Sequence, residues 1–122
     1  MSIWLNLAKL TPVTYEAVRR EPDLLDGIFF TDDAALPGYA AEADLYGEPF
    51  FLTEPDYDVE EWLLAAQRMG EKFGYEFNNG PAFALAPSAL AQVVVLAEPG
   101  SAVAAFLQDA LREGKVVVGG LS

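Results

Sequence analysis

The densest group of residues able to do chemistry is Glu54, Asp56, Asp58, Glu60 and Glu61, five carboxylates within eight positions. Alternating carboxylates of this kind could hold a hard cation through oxygen, as a calcium loop does. The spacing fails that test, because Glu61 stands where the loop needs glycine and Gln67 where it needs its last bidentate glutamate. Paired carboxylates could instead act as acid and base on a glycosidic bond, given a cleft that holds them about 5 to 9.5 Å apart. A chain of 122 residues leaves little room for such a cleft. A plainer role suits Asp58, Glu60 and Glu61, which open a helix whose positive dipole end favours anions. The sequence therefore assigns no catalytic residue, no metal ligand and no cofactor.

Other chemistries are limited by what the chain lacks. It has no His and no Cys, which removes imidazole bases, imidazole metal ligands, thiolate nucleophiles, disulfides and Cys-ligated zinc. Gly114-Lys115 is no phosphate loop, since Asp109 occupies the place of the first glycine and Val116 that of the Ser or Thr. Gly119-Gly120 has no helix after it to receive a phosphate and is expected to be a mobile tail.

The charge distribution is the most informative feature. Residues 21 to 67 carry thirteen carboxylates and no Lys or Arg, whereas the rest of the chain, with seven basic and six acidic residues, is close to neutral. The pI near 4.1 argues against nucleic acid and anionic membrane as partners, because both are held through Lys and Arg. A one-signed surface steers a basic protein instead, although the same charge also keeps an apolar, Ala-rich chain in solution. Ten residues are candidates for contacting a basic partner: Asp32, Asp33, Glu42, Asp44, Glu48, Glu54, Asp56, Asp58, Glu60 and Glu61. Tyr39, Tyr46 and Tyr57 lie in the same span and suit an interface. No apolar run approaches the roughly 18 residues that cross a bilayer, and Met1 to Leu10 lacks a basic leader, so cytoplasmic residence is expected.

One domain suffices for this length, and the elements that would position these side chains follow from periodicity. Ser2 to Lys9 alternates as a strand, apolar on both sides through Trp4 and Ala8, which suits a central place in a sheet. Thr11-Pro12 caps and starts a helix that stops before Pro22, and Asp23 to Phe30 is a short helical or turn segment broken at Gly27. Residues 31 to 57, rich in Pro and Gly, form a long acidic connection with one short strand near Phe50 to Leu52. Asp58 and Glu61 approximate a capping box for a helix that carries Val59, Trp62, Leu63, Ala66, Met69 and Phe73 to a C-cap at Gly74. Asn79-Gly80 makes the turn of a hairpin between Tyr75 to Phe77 and Ala82 to Leu85. Two helices follow: one from Pro87 burying Leu90, Val93, Val94 and Ala97, the other from Ser101 to Gly114 with Val103, Phe106, Leu107, Ala110 and Leu111 on one face. Lys115 to Val118 closes the chain as a strand buried on both sides. Trp4, Trp62, Phe73, Phe77 and Phe106 are assigned to the core.

Two segments resemble the YfbM-like family of uncharacterised bacterial proteins, a domain of unknown function. One is Ser2-Ile-Trp-Leu-Asn-Leu-Ala-Lys-Leu-Thr-Pro running on to Asp23-Leu-Leu-Asp-Gly-Ile-Phe-Phe. The other comprises Asn79-Gly-Pro-Ala-Phe-Ala-Leu-Ala-Pro and Ala105-Phe-Leu-Gln-Asp-Ala-Leu-Arg-Glu-Gly-Lys-Val-Val-Val. Family members carry a Trp-rich, His-containing middle that this chain lacks, so no role of that stretch transfers to it. The resemblance implies a strand and helix at each end of the fold and, loosely, an immunity-like role against a bacterial toxin.

The expectation is an α+β domain: a small mixed sheet containing the first and last strands, packed by three to four helices, with one long acidic connection. The expected function is that of a non-enzymatic interaction module presenting its acidic surface to a basic protein. The alternatives are a carboxylate-dependent metal- or small-ligand-binding enzyme, and a structural homo-oligomer joined through the Lys115 to Val118 strand.

Overall fold

The computed structural model describes residues 3–30, 44–50 and 61–122. Their order is β1 (Ile3–Leu10), α1 (Pro12–Arg20), α2 (Leu24–Phe30), β2 (Asp44–Phe50), α3 (Glu61–Met69), β3 (Glu76–Phe77), β4 (Gly80–Pro81), β5 (Phe83–Leu85), α4 (Pro87–Val94), α5 (Ala102–Arg112) and β6 (Val116–Leu121). β2, β1, β6 and β5 lie side by side in that order, and β3 and β4 form a separate hairpin. The fold is α+β, with the N- and C-terminal strands adjacent at the centre of the sheet, and every pairing is antiparallel where a mixed sheet was expected.

Strand alternation divides the core into two layers. Leu5, Leu7, Phe83, Leu85 and Val117 point to one face and pack under α3, α4 and α5 with Trp62, Leu63, Leu90 and Leu107. Ala8, Leu10, Ala84, Val116 and Val118 point to the other, beneath α1, α2 and the β3–β4 hairpin. Consecutive valines in β6 are buried because helices cover both sides, as expected from the sequence. Trp4 departs from its expected burial and is 45% exposed, since the second core layer reaches along β1 only from Ala8 onward.

The helix starts follow their caps. The Thr11 hydroxyl accepts from the Thr14 N–H at 3.2 Å with Pro12 in the first turn, and the Ser101 hydroxyl accepts from the Ala104 N–H at 3.1 Å. Gly27 does not break the second segment; it is buried within α2. α3 stops at Met69 rather than running on to Phe73. A Cβ on Gly70 would lie 2.6 Å from the Ala66 carbonyl oxygen and 2.7 Å from Phe83 Cβ, so only glycine lets the helix end press on β5. The chain then turns extended, and Glu71 and Ala84 exchange backbone hydrogen bonds at 2.9 and 3.0 Å.

Three further expectations are corrected. The strand in the long connection is Asp44–Phe50, earlier and longer than Phe50 to Leu52; among the described residues it is the outermost strand of the sheet, a place that tolerates Pro49, which had read as a loop signal. The hairpin turn is Asn78-Asn79, with Gly80 already in β4 opposite Phe77. Gly119-Gly120 is no tail, for both residues lie in central strand β6. A Cβ on Gly119 would sit 2.5 Å from the Asn6 carbonyl oxygen, and one on Gly120 would sit 2.6 Å from Phe77 Cε2. The same strand is paired on both sides, by β1 and β5, so it offers no free edge to join a second copy.

Candidate functional site

Of the ten candidate residues, the structure describes Asp44, Glu48 and Glu61; Asp32, Asp33, Glu42, Glu54, Asp56, Asp58 and Glu60 lie outside the described residues, as do Tyr39 and Tyr57. Asp44 and Glu48 share a face of β2, being opposite Lys9 and Leu5 in register, and that face looks toward α5. The Asp44 carboxylate is 3.5 Å from Lys9 Nζ and 3.8 Å from Lys115 Nζ. Glu113, just past the end of α5, is 3.3 Å from Lys9 and 3.4 Å from Lys115. The Lys9 hydrogen bond, aided by Lys115, holds the Glu113 carboxyl below its ordinary value.

Lys9 is the unusual member of this group. It lies in a central strand, is 6% exposed, and places its ammonium 5.3 Å from the centre of the Phe106 ring. A buried cation is tolerable only when paired, and here two carboxylates and an aromatic face surround it. Tyr46 completes the corner: its ring packs 5.5 Å from Phe106 and its hydroxyl donates to Glu48. Asp44 thus ties β2 to Lys9 of β1 and to Lys115, and the Tyr46 ring ties it to Phe106 of α5, while Glu48 accepts its hydrogen bond from within the same strand. Glu61 stands apart, exposed in the first turn of α3.

A second polar group lies on the opposite face, between α2, the β3–β4 hairpin and the end of β6. Tyr75 is buried, and its hydroxyl donates to Asp26 Oδ1 at 2.7 Å. Burial, followed by that hydrogen bond and the Asp26 charge, pushes the Tyr75 phenol far up, so it serves as a fixed donor and not as a base. Beside this pair opens a cavity of about 280 Å³, also bounded by Phe30, Glu76, Phe77 and Asn78. Phe77 is buried against Gly120, while Phe30 meets it edge-on at 6.1 Å and is itself 54% exposed. Ser122 forms the far wall, held by paired backbone hydrogen bonds to Trp4 at 2.9 Å and by the Asn6 amide at 2.8 Å.

Sequence reasoning missed this cleft, since its residues come from three separate segments and no spacing joins them. The local signals were Asp26 in a short amphipathic segment and charged Glu76 beside a tight Asn-Asn turn. Among the described residues no group of three or more His, Asp or Glu side chains is placed to hold a metal ion, and no helix is long and apolar enough to cross a membrane. Comparison with family models, with curated proteins and with solved structures gives no match.

Proposed function

We propose that this chain is a cytoplasmic, non-enzymatic interaction protein, of the immunity-like kind that its resemblance to the YfbM-like family implies, and that its acidic span engages a basic protein. One observation carries the reading. All seven Lys and Arg residues lie outside residues 21 to 67. Of the carboxylates in that span that are described, Glu21, Asp23, Asp26, Asp44, Glu48 and Glu61, only Asp44 is within ion-pair distance of a cation. Three of the arginines pair with carboxylates outside the span: Arg19 with Glu71 and Glu16, Arg20 with Glu16, and Arg112 with Asp109. Among the described residues the acidity of the span is thus left largely without a cation of this chain, and a field of one sign raises the association rate of a basic protein while repelling anions.

The test is retention of a polylysine probe on the immobilised full chain. Binding should fall steeply between low and physiological salt, where screening acts over about 8 Å. Replacing Asp56, Asp58, Glu60 and Glu61 with Asn or Gln should weaken retention, and unchanged retention by that variant would overturn the reading.

A further inference from the structure

We infer that the cleft between α2 and the β3–β4 hairpin is a receptor for a single arginine side chain of a basic protein partner, a site-level statement that rests on the function proposed above. Size is the first argument. Pockets for whole small molecules run from about 300 to 1,000 Å³, and this cavity, about 280 Å³, is on the scale of one long side chain. Charge is the second. Asp26 and Glu76 bound the cavity from two different elements, and no Lys or Arg of this chain lies within ion-pair distance of either.

The aromatic wall selects among cations. Phe30 borders the cavity, is half exposed and meets Phe77 edge-on. Phe29, Phe77 and Tyr75 back it in a chain of ring contacts between 5.1 and 5.4 Å. A guanidinium is planar, weakly hydrated and able to stack on a ring while its N–H groups reach carboxylates, which an ammonium does less well. Tyr75 sharpens the geometry. By donating to one Asp26 oxygen it fixes the carboxylate and leaves the second oxygen to accept from the guest. Asn78, at the turn, also borders the cavity.

The experiment is an amide-resolved NMR titration of the full chain with a short acetylated, amidated Gly-Arg-Gly peptide, alongside matched peptides carrying lysine or citrulline. The expected result is a saturable shift confined to residues near Asp26, Phe30, Tyr75 to Asn78 and Ser122, stronger for arginine than for lysine and absent for citrulline. Glu76→Gln, which spares the Tyr75–Asp26 hydrogen bond, should weaken binding about threefold to fivefold, as an exposed pair does. Phe30→Leu, which leaves every charge in place, should weaken it about twofold to fivefold. Equal shifts with citrulline, or affinities unchanged in both variants, would overturn the proposal. If the peptide is ignored while polylysine is still retained in a salt-dependent way, the cleft assignment fails and the acidic-surface reading stands. If polylysine is not retained while the peptide fills the cleft, the reverse holds.

Discussion

The Lys9 corner and the Asp26 cleft are built from similar materials, carboxylates, a tyrosine and phenylalanine, on opposite faces of one sheet, and the difference that matters is whether the chain itself supplies a cation. At the corner a buried lysine of the chain stands between Asp44 and Glu113. At the cleft Asp26 and Glu76 have no such cation. A carboxylate near an aromatic wall is thus a structural part where the fold supplies the cation, and an open acceptor where it does not. Acidity alone does not separate the two cases; the placement of seven basic residues does.

The largest expected effect removes the floor of the cleft. Gly120→Val would drive a side chain into the Phe77 ring from a central strand, and overpacking of this kind costs about 3 kcal/mol in urea-denaturation free energy. A change below about 0.5 kcal/mol would mean that Phe77 yields freely, and that the cleft is softer than the corner.

Next comes the corner itself. Lys9→Ala loses a buried aliphatic stem as well as a charge, and about 2 kcal/mol is expected, less than a wholly buried pair because Asp44 and Glu113 are still partly wetted. Lys9→Met keeps the stem and should cost less. The pH dependence has a definite sign. Since the folded Glu113 carboxyl lies below its ordinary value of 4.5, its contribution is present above that pH and is lost as pH falls through the folded value. Lys9→Met should therefore flatten the acid limb of the stability profile, and an unaltered limb would show that Lys115 alone holds Glu113.

These contrasts explain what the sequence could and could not reveal. Periodicity and caps identified β1, α1, α4, α5 and the start of β6, because each signal there is local: Thr11-Pro12, Pro87, Ser101, or a run of valines. Two glycines owe their place to a distant neighbour, which no local signal shows. Gly70 ends a helix because Phe83 is there, and Gly120 extends a strand because Phe77 is there. The sites failed for the same cause. Lys9, charged at an inward strand position, was the visible sign of the corner, but its partners Asp44 and Glu113 are fixed only by tertiary register. The cleft draws on residues 26, 75 and 122, and no one-dimensional spacing links them.

The smallest pair of effects tests the comparison most closely, because it uses two phenols on the same face of the sheet. Tyr75 has a partner in Asp26. The Tyr15 hydroxyl oxygen is buried with no hydrogen-bond partner among the described residues, and burial, together with the Glu71 charge, pushes its phenol up to about 12. Both folded values lie above the ordinary 10.0, so each phenol contributes stability that is complete below pH 10 and is lost as pH rises through the folded value. Neutral pH separates them. Tyr75→Phe removes a hydrogen bond to a charged acceptor and should cost about 1 kcal/mol. Tyr15→Phe removes only a hydroxyl already stripped of water, and should change stability by less than about 0.5 kcal/mol, or raise it. Both variants should also hold their stability further into the alkaline range. If Tyr15→Phe proved the costlier change in thermal unfolding at neutral pH, the Tyr75–Asp26 pair would not be the fixed element that the cleft requires.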